Sequence, residues 1–230
     1  MINALICWGL ESKEVSSMTF KRARQAEQKA DRRASILAKA RELCAEYGIQ
    51  NWSLNELGRR AEVNKSNLYR YFGSREEILM TLMTEETGAF VEAFTAATEG
   101  KTLNAEEFAK LIAEQYCAQS FLCELLSLSS TLLEHNVKLE KVRDIKLGSA
   151  SQMGEIAKAI AHCLPGVDES EAGQIAFTSG VIAAGLWPMA NPAAPMRKLT
   201  QFEGLEHLHF DFESQMEQMM ANYIKGVMAK

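Results

Sequence analysis

Proline is scarce in this chain and is confined to its last third. All four prolines lie at or beyond Pro165, so long helices are permitted over most of the sequence. Strand signals are also nearly absent, because no alternating run rich in valine, isoleucine and threonine is bounded by turn residues. These absences argue against a sheet-based fold and predict an all-α protein.

Cysteine usage argues against a disulfide framework. The five cysteines are an odd number and lack the CxxC spacing of metal sites, a pattern that favours a reducing cytoplasm. Cys117 and Cys123 are candidates for oxidant sensing, and ordinary core packing is the alternative. His207 and His209 are two residues apart and therefore do not share a helix face. We expect no metal site.

Signals for catalysis, cofactors and membranes are missing as well. The sequence shows no nucleophile with a nearby base, no glycine-rich phosphate loop and no metal-ligand spacing, so we expect neither an enzyme nor a cofactor. No apolar stretch is long enough to span a bilayer, and no membrane partner is expected. Residues 1–20 match an export signal poorly and are expected to be a disordered or partly helical extension, with Met18 as an alternative start.

Residues 53–79 contain two short helical patterns and the beginning of a third, joined by tight turns. Ser53 and Ser74 each precede a glutamate by three residues, which is the pattern of a capping box, and Asn64 is a strong N-cap. Leu68 and Phe72 have the spacing of an inward face. This arrangement predicts a helix-turn-helix followed by a long helix.

The outward side of the second pattern offers amides, hydroxyls and cations, which suit phosphates and the base edges of the major groove. The side chains expected to bind DNA are Ser53, Lys65, Ser66, Asn67, Tyr69, Arg70, Tyr71 and Arg75. Lys65, Asn67 and Tyr71 are the candidates for base edges. Contacts that position the DNA backbone are expected from Ser53, Tyr69, Arg70 and Arg75.

These residues resemble the DNA-binding domain of TetR-family transcriptional regulators. The resemblance is carried by Leu57, Ala61, Val63, Leu68, Tyr69, Phe72, Ser74, Arg75 and Leu79. Glu62 departs from the family pattern at a turn where glycine is common, and Asn67 replaces a small residue or threonine. The resemblance implies a ligand-responsive regulator, a repressor in the first instance, that binds a palindromic operator as a homodimer. A small apolar or amphipathic effector would release it.

Charge is divided unequally along the chain. Residues 19–75 contain thirteen cations and six anions, a net charge of +7, which leaves −12 for the rest of a chain with a total of −5. A basic end joined to an acidic body is expected when only one end meets phosphate. We therefore assign residues 21–75 to a DNA-binding domain and residues 76–230 to a helical effector-binding and dimerisation domain.

Helical periodicity continues to the end of the sequence. The predicted helices cover Lys29–Tyr47, a long stretch to about Thr98, a segment capped by Asn104, Leu125–Glu134, Val137–Cys163, a segment from Asp168 to Trp187, and a final helix that includes Phe210. Pro188, Pro192 and Pro195 predict an irregular connection up to about Gln201.

Aromatic and methionine side chains at helical spacing fit either an ordinary core or an adaptable apolar pocket. In the family that the chain resembles, this domain binds a small molecule, and the expected ligand-binding residues are Phe90, Phe94, Phe108, Tyr116, Met153 and Phe177. The expected dimer interface is formed by Ile175, Ser179, Ala183, Met216, Met220 and Tyr223. The alternative is that both of these faces stay inside one chain.

Two other functions remain open from the sequence. One is a nucleoid-type protein that binds DNA without an effector, and the other is a helical lipid carrier or enzyme whose basic end only resembles a DNA-binding head. A short protected palindrome in a footprint would favour the regulator, whereas uniform salt-sensitive coating would favour the nucleoid-type protein.

Overall fold

The computed structural model describes residues 7–129, 137–199 and 202–229. These residues form ten α-helices and a short 3-10 helix, Glu206–Leu208, and contain no β-strand. The helices are α1 Cys7–Tyr47, α2 Leu54–Arg60, α3 Lys65–Leu68, α4 Arg75–Thr98, α5 Ala105–Ala118, α6 Ser120–Leu128, α7 Leu139–Cys163, α8 Glu169–Ala190, α9 Ala194–Leu199 and α10 Phe212–Met228. The prediction of an all-α fold is confirmed. The end of the helix predicted at Leu125–Glu134 lies outside the described residues.

The helix starts predicted from the caps Ser53, Asn64 and Ser74 are confirmed, although the capping boxes of Ser53 and Ser74 are only half formed. Ser53 Oγ accepts the Glu56 N–H at 3.2 Å, and Ser74 Oγ accepts the Glu77 N–H at 3.0 Å. The Glu77 carboxylate binds the N–H of Gly73 at 2.8 Å. The Glu56 carboxylate binds arginines instead of closing its box. Each side-chain cap stabilises its helix by about 1 kcal/mol.

Helix α1 is longer than its sequence predicts. It begins at Cys7 rather than Lys29, so the described part of the expected extension is helical. Its end at Tyr47 agrees with the prediction, because Gly48 has a φ of 81° and its N–H donates to the Cys44 carbonyl at 2.8 Å. A glycine in the left-handed region ends a helix without steric cost.

The proline-rich connection is more helical than predicted. Pro188 lies inside α8, which continues to Ala190, and Pro195 is the second residue of α9. A proline is tolerated in the first turn of a helix, where its missing N–H has no helical partner. Phe210 lies before α10 rather than inside it, since that helix begins at Phe212.

The chain divides into two compact units, the first ending at Tyr71 and the second beginning at Phe72. In the first unit α2 packs against α1 and α3, and the residues of α1 expected to face inward, Ile36, Leu37, Ala40, Leu43 and Cys44, are all buried. In the second unit α10 packs against α5 and α8, while α7 packs against α4 and α8. One apolar cluster from these helices forms the core of the second unit.

Candidate nucleic-acid interface and effector domain

The turn between α2 and α3 contains a left-handed residue that is not glycine. Glu62 has a φ of 52°, and its carbonyl oxygen accepts a hydrogen bond from Arg32 Nη2 at 2.9 Å. A left-handed backbone costs about 1 to 2 kcal/mol for a residue with a Cβ atom. The bond from α1 holds the strained turn in place, a role for Arg32 that the sequence pattern did not indicate.

Gly58 allows the two sides of this turn to approach closely. The Val63 N–H donates to the Gly58 carbonyl at 2.8 Å. A Cβ atom at position 58 would lie 2.6 Å from the Val63 carbonyl oxygen, which is closer than real Cβ contacts. Only glycine fits this position without a backbone shift, so Gly58 fixes the geometry from which α3 begins.

The hydrophilic side of α3 faces solvent. Leu68 is 1% exposed and anchors the helix, whereas the exposed residues around it are Lys65, Ser66, Asn67, Tyr69 and Arg70. Tyr71 is half-buried. The α-helix itself has only one turn, and the N–H groups of Arg70 and Tyr71 continue it as tighter turns by donating to carbonyls three residues back. Asn64 Oδ1 caps the start by accepting the Asn67 N–H at 2.8 Å.

Cations on α2 are neutralised by carboxylates, whereas those on α3 are not. Arg59 lies 2.7 Å from Glu56, and Arg60 contacts both Glu46 at 2.6 Å and Glu56 at 3.2 Å. Hydrogen bonds from Arg59, together with those from Arg60, lower the pKa of Glu56 to about 2. Among the described residues, neither Lys65 nor Arg70 forms a salt bridge.

Ser53 and Arg75, also expected at the interface, are already engaged within the chain. Ser53 is exposed, but its hydroxyl caps α2. Arg75 is half-buried, lies 3.4 Å from the Glu76 carboxylate and begins α4 in the second unit. The exposed polar surface of the first unit is therefore centred on α3.

Four of the six expected ligand-binding residues form a packed aromatic core in the second unit. Phe90 contacts Phe94 and Tyr116 with ring centroids 5.9 and 4.5 Å apart, and Phe94 meets Phe108 at 6.0 Å in an edge-to-face contact. All four rings are buried. These side chains fill the interior of the second unit, and a ligand would enter among them only if they moved.

One polar pair lies in this interior. Tyr116 Oη and Ser179 Oγ are 3.1 Å apart, and Ser179 also donates to the Ala176 carbonyl at 2.7 Å. Burial raises the pKa of Tyr116, so its hydroxyl remains a neutral donor and acceptor. Gly180 lies beside this hydroxyl, since a Cβ atom there would be 3.7 Å from Tyr116 Oη.

Phe177 does not lie in the interior. It is 64% exposed on α8, whereas Met153 is half-buried against the core. The expectation that Phe177 lines an internal pocket is therefore corrected, because the opposite side of α8 faces the core. A separate open cleft of about 630 Å³ lies between the end of α4 and α7, and its lining includes Thr98, Lys101, Lys158 and His162.

The residues expected to form a dimer interface are inside the chain. Five of them are buried in the core or its polar pair, namely Ile175, Ser179, Ala183, Met216 and Met220, and Tyr223 is partly buried. Their side chains already pack within one chain and do not offer a surface to a second copy. The exposed apolar side of α8 instead carries Phe177 and Val181, at 64% and 55% exposure.

Cys117 and Cys123 lie in environments that disfavour the reactive thiolate. Burial raises the pKa of Cys117 to about 11 and that of Cys123 to about 12. The carboxylates of Glu213 and Asp211 add to the shift at Cys117. Because the thiolate is the nucleophile, these environments argue against oxidant sensing by either residue.

The described part of the chain contains no group of three or more histidine, cysteine or acidic side chains that could hold a metal ion. None of its helices combines the length and apolar character needed to cross a membrane.

Known proteins share both units of this architecture. The NemR transcriptional repressor of Escherichia coli is 23% identical over 188 residues, covering 77% of this chain and 89% of its own. The fatty acid metabolism regulator protein of Bacillus subtilis is 24% identical over 143 residues, covering 61% of this chain and 68% of its own. The crystal structure of a TetR/AcrR-family regulator from Thermobifida fusca matches with a TM-score of 0.52 at 19% identity, covering 84% and 97% of the two chains.

Family models cover nearly all of the chain beyond the first part of α1. Residues 36–81 match the model for bacterial regulatory proteins of the tetR family, and residues 84–230 match the model for a tetracyclin repressor-like C-terminal domain. The second match alone spans more than half of the 230 residues. The first match includes α2, α3 and the turn between them, so these elements are the family's DNA-binding helix-turn-helix. The chain belongs to the TetR family of transcriptional regulators, which are not enzymes.

Proposed function

We propose that this protein is a ligand-responsive repressor that binds a palindromic operator as a homodimer and releases it when a small apolar or amphipathic effector binds. The observation that carries the proposal is the exposed polar surface formed by α3 and the turn after it, from Lys65 to Arg70, around the buried Leu68. Amides and cations on one short helix suit base edges and phosphates together.

Within this surface Asn67 and Lys65 are assigned to base edges together with Tyr71. Asparagine pairs in two places with adenine, and lysine binds guanine acceptors. Ser53, Ser66, Tyr69 and Arg70 are assigned to the sugar-phosphate backbone, with Arg75 as a weaker candidate because Glu76 already engages it. Backbone contacts fix the position of the protein on the duplex without reading its sequence.

A dimer follows from the geometry of DNA. Two α3 helices can read successive major grooves on one side of a duplex only if they lie about 34 to 36 Å apart, a spacing that needs two copies. The surface that supports such pairing is the exposed side of α8, with Phe177 and Val181 one helical turn apart. Met219 is also an exposed apolar side chain, on α10, which packs against α8.

The effector is assigned to the second unit, where the aromatic core encloses the Tyr116 and Ser179 hydroxyls. An apolar interior with a few placed polar groups is typical of small-molecule sites. A relative is named as a fatty acid metabolism regulator, so laurate, palmitate and oleate are suitable first probes. A ligand can weaken DNA binding only through a difference in its affinity for the DNA-bound and free forms.

Selection of bound genomic fragments, followed by footprinting, tests the proposal. A repressor of this kind protects a short palindrome with half-sites about one helical turn apart. Uniform, salt-sensitive coating of every fragment would instead support an effector-independent nucleoid protein. The footprint is then repeated with each fatty acid, and loss of protection identifies an effector class.

A further inference from the structure

A row of polar side chains continues along one side of α1 before its buried part. Gln25, Gln28, Lys29 and Arg32 follow the spacing i, i+3, i+4 and i+7, so they share one face of the helix. Every side chain from Arg24 to Asp31 is exposed, and Ile36 is the first buried side chain that follows them. This part of α1 therefore presents an open face to an external partner.

The row borders the same surface as α3. Gln25, Gln28 and Lys29 line a recess of about 330 Å³ together with Arg70 and Tyr71. An adjoining recess of about 220 Å³ is lined by Arg32, Glu62, Val63, Asn64, Asn67, Arg70 and Tyr71. Because Arg70 and Tyr71 belong to both recesses, the face of α1 and the outward side of α3 form one continuous groove.

The chemistry of the first recess fits an anionic strand. Its lining has two cations, two amides and a phenol, and it includes no carboxylate. In the part of the chain that the structure describes, neither Lys29 nor Arg70 takes part in a salt bridge, in contrast to Arg59 and Arg60. The glutamine amides can donate hydrogen bonds to phosphate oxygens, and the two cations supply the complementary charge.

We propose that Gln25, Gln28 and Lys29, here called the α1 strip, are a second DNA-contacting surface that binds the phosphate backbone beside the base pairs read by α3. Lys29 of α1 and Arg70 of the turn after α3 bind one phosphodiester segment, and the glutamine amides donate to neighbouring phosphates. The inference rests on the proposed DNA-binding function. It assigns to the exposed part of α1 a partner whose charge complements the recess.

Two single substitutions on α1 distinguish a specific phosphate contact of the α1 strip from a general effect of the protein's net charge. Lys29→Ala and Arg24→Ala each remove one positive charge from an exposed position, but Arg24 lines neither recess. The affinity of each purified full-length variant for a selected operator is measured over a range of salt concentrations. Each lost phosphate contact reduces the slope of log K against log salt by about 0.9.

The strip predicts that Lys29→Ala reduces the salt slope by about 0.9 for each protomer, or about 1.8 for the dimer. Binding should weaken on operator and random DNA alike, by about five-fold for each lost contact. Arg24→Ala should change both far less, and Lys29→Arg should restore most of the affinity. Equal effects of Lys29→Ala and Arg24→Ala would overturn the proposal. They would mean that each substitution acts only through the net charge of the protein and not through a specific phosphate contact. Circular dichroism confirms that the variants remain folded.

A hydroxyl-radical footprint locates the contact. The wild-type protein should protect phosphates beside those opposite α3, and the triple variant Gln25→Ala, Gln28→Ala, Lys29→Ala should lose only these flanking protections. An unchanged footprint in the triple variant would overturn the strip while leaving the helix-turn-helix assignment intact. Failure of the wild-type protein to select any DNA would instead overturn the proposed function and the strip together.

Discussion

Arg32 of α1 donates a hydrogen bond to the carbonyl oxygen of Glu62, at 2.9 Å, in the turn that separates α2 from α3. Glu62 is the residue with a left-handed φ of 52°, at a position where the family pattern favours glycine. A side chain on a neighbouring helix thus supports backbone strain that a glycine would not have. The starting direction of α3 depends on this contact.

Replacing Glu62 by glycine should stabilise the first unit. The substitution removes the cost of the left-handed conformation, which is about 1 to 2 kcal/mol. Part of this gain is offset because glycine increases the conformational freedom of the unfolded chain. The free energy of unfolding should therefore rise by about 0.5 to 1 kcal/mol. Urea denaturation measures the change. Glu42→Gly, on the exposed side of α1, should have the opposite sign because glycine weakens a helix interior. A lower free energy of unfolding for Glu62→Gly would contradict the claim that the backbone of Glu62 is strained.

Gly58→Ala should damage the same turn. The added methyl group would lie 2.6 Å from the Val63 carbonyl oxygen, and backbone atoms cannot yield as a flexible side chain does. We expect a loss of about 2 kcal/mol in unfolding free energy and a loss of operator binding, measured by urea denaturation and gel shift. Gly154→Ala in α7 is the matched control, because its Cβ atom meets nothing within 4 Å. Equal free energies of unfolding for Gly58→Ala and Gly154→Ala would contradict the close approach of residue 58 to the Val63 carbonyl oxygen.

The first unit should lose part of its stability in acid through Glu56. Hydrogen bonding with Arg59 and Arg60 lowers the pKa of Glu56 from 4.5 to about 2 in the folded chain. Its contribution is present above the unfolded pKa and disappears as the pH falls from about 4.5 towards 2. Glu56→Gln should therefore show a smaller decrease in melting temperature over this range, especially at low salt. Glu27→Gln, which alters an exposed carboxylate without an ion pair in the described residues, should behave like the wild type.

Phe177→Asp should separate the proposed dimer without unfolding the chain. The side chain is 64% exposed within one chain, so a charge there meets solvent in the monomer but an apolar surface in the dimer. We expect the dimer dissociation constant to rise about thirty-fold or more, measured by light scattering over a dilution series. Leu147→Asp, which changes a 65% exposed leucine on α7, should leave the mass unchanged. An unchanged dimer dissociation constant for Phe177→Asp would show that the interface does not include this side of α8.

Local signals in the sequence predicted the helix-turn-helix well. Asn64 and Ser74 cap the helices that they were expected to cap, and Gly48 ends α1 where predicted. These features depend on a few neighbouring residues, and the sequence displays them directly. The bond from Arg32 to Glu62 joins positions 30 apart, and no local pattern indicates such a contact.

The orientation of α8 could not be read from its sequence. Apolar residues occur all around this helix, so periodicity does not distinguish the side with Ile175 and Ala183 from the side with Phe177 and Val181. Packing against α6, α7 and α10 buries the first side and leaves Phe177 and Val181 exposed on the second. The sequence predicts that the helix ends before Pro188, whereas α8 continues to Ala190. A proline near the end of a helix is compatible with either outcome, so the sequence alone does not decide between them.

The most direct test of the central claim compares Asn67→Ala with Arg70→Ala on a selected operator and on random DNA. If the exposed side of α3 reads bases, Asn67→Ala should weaken operator binding by about ten-fold to a hundred-fold and random DNA binding very little. Arg70→Ala should weaken both by a similar factor, because phosphate contacts carry no sequence information. An equal loss on operator and random DNA for Asn67→Ala would contradict the claim that α3 reads sequence.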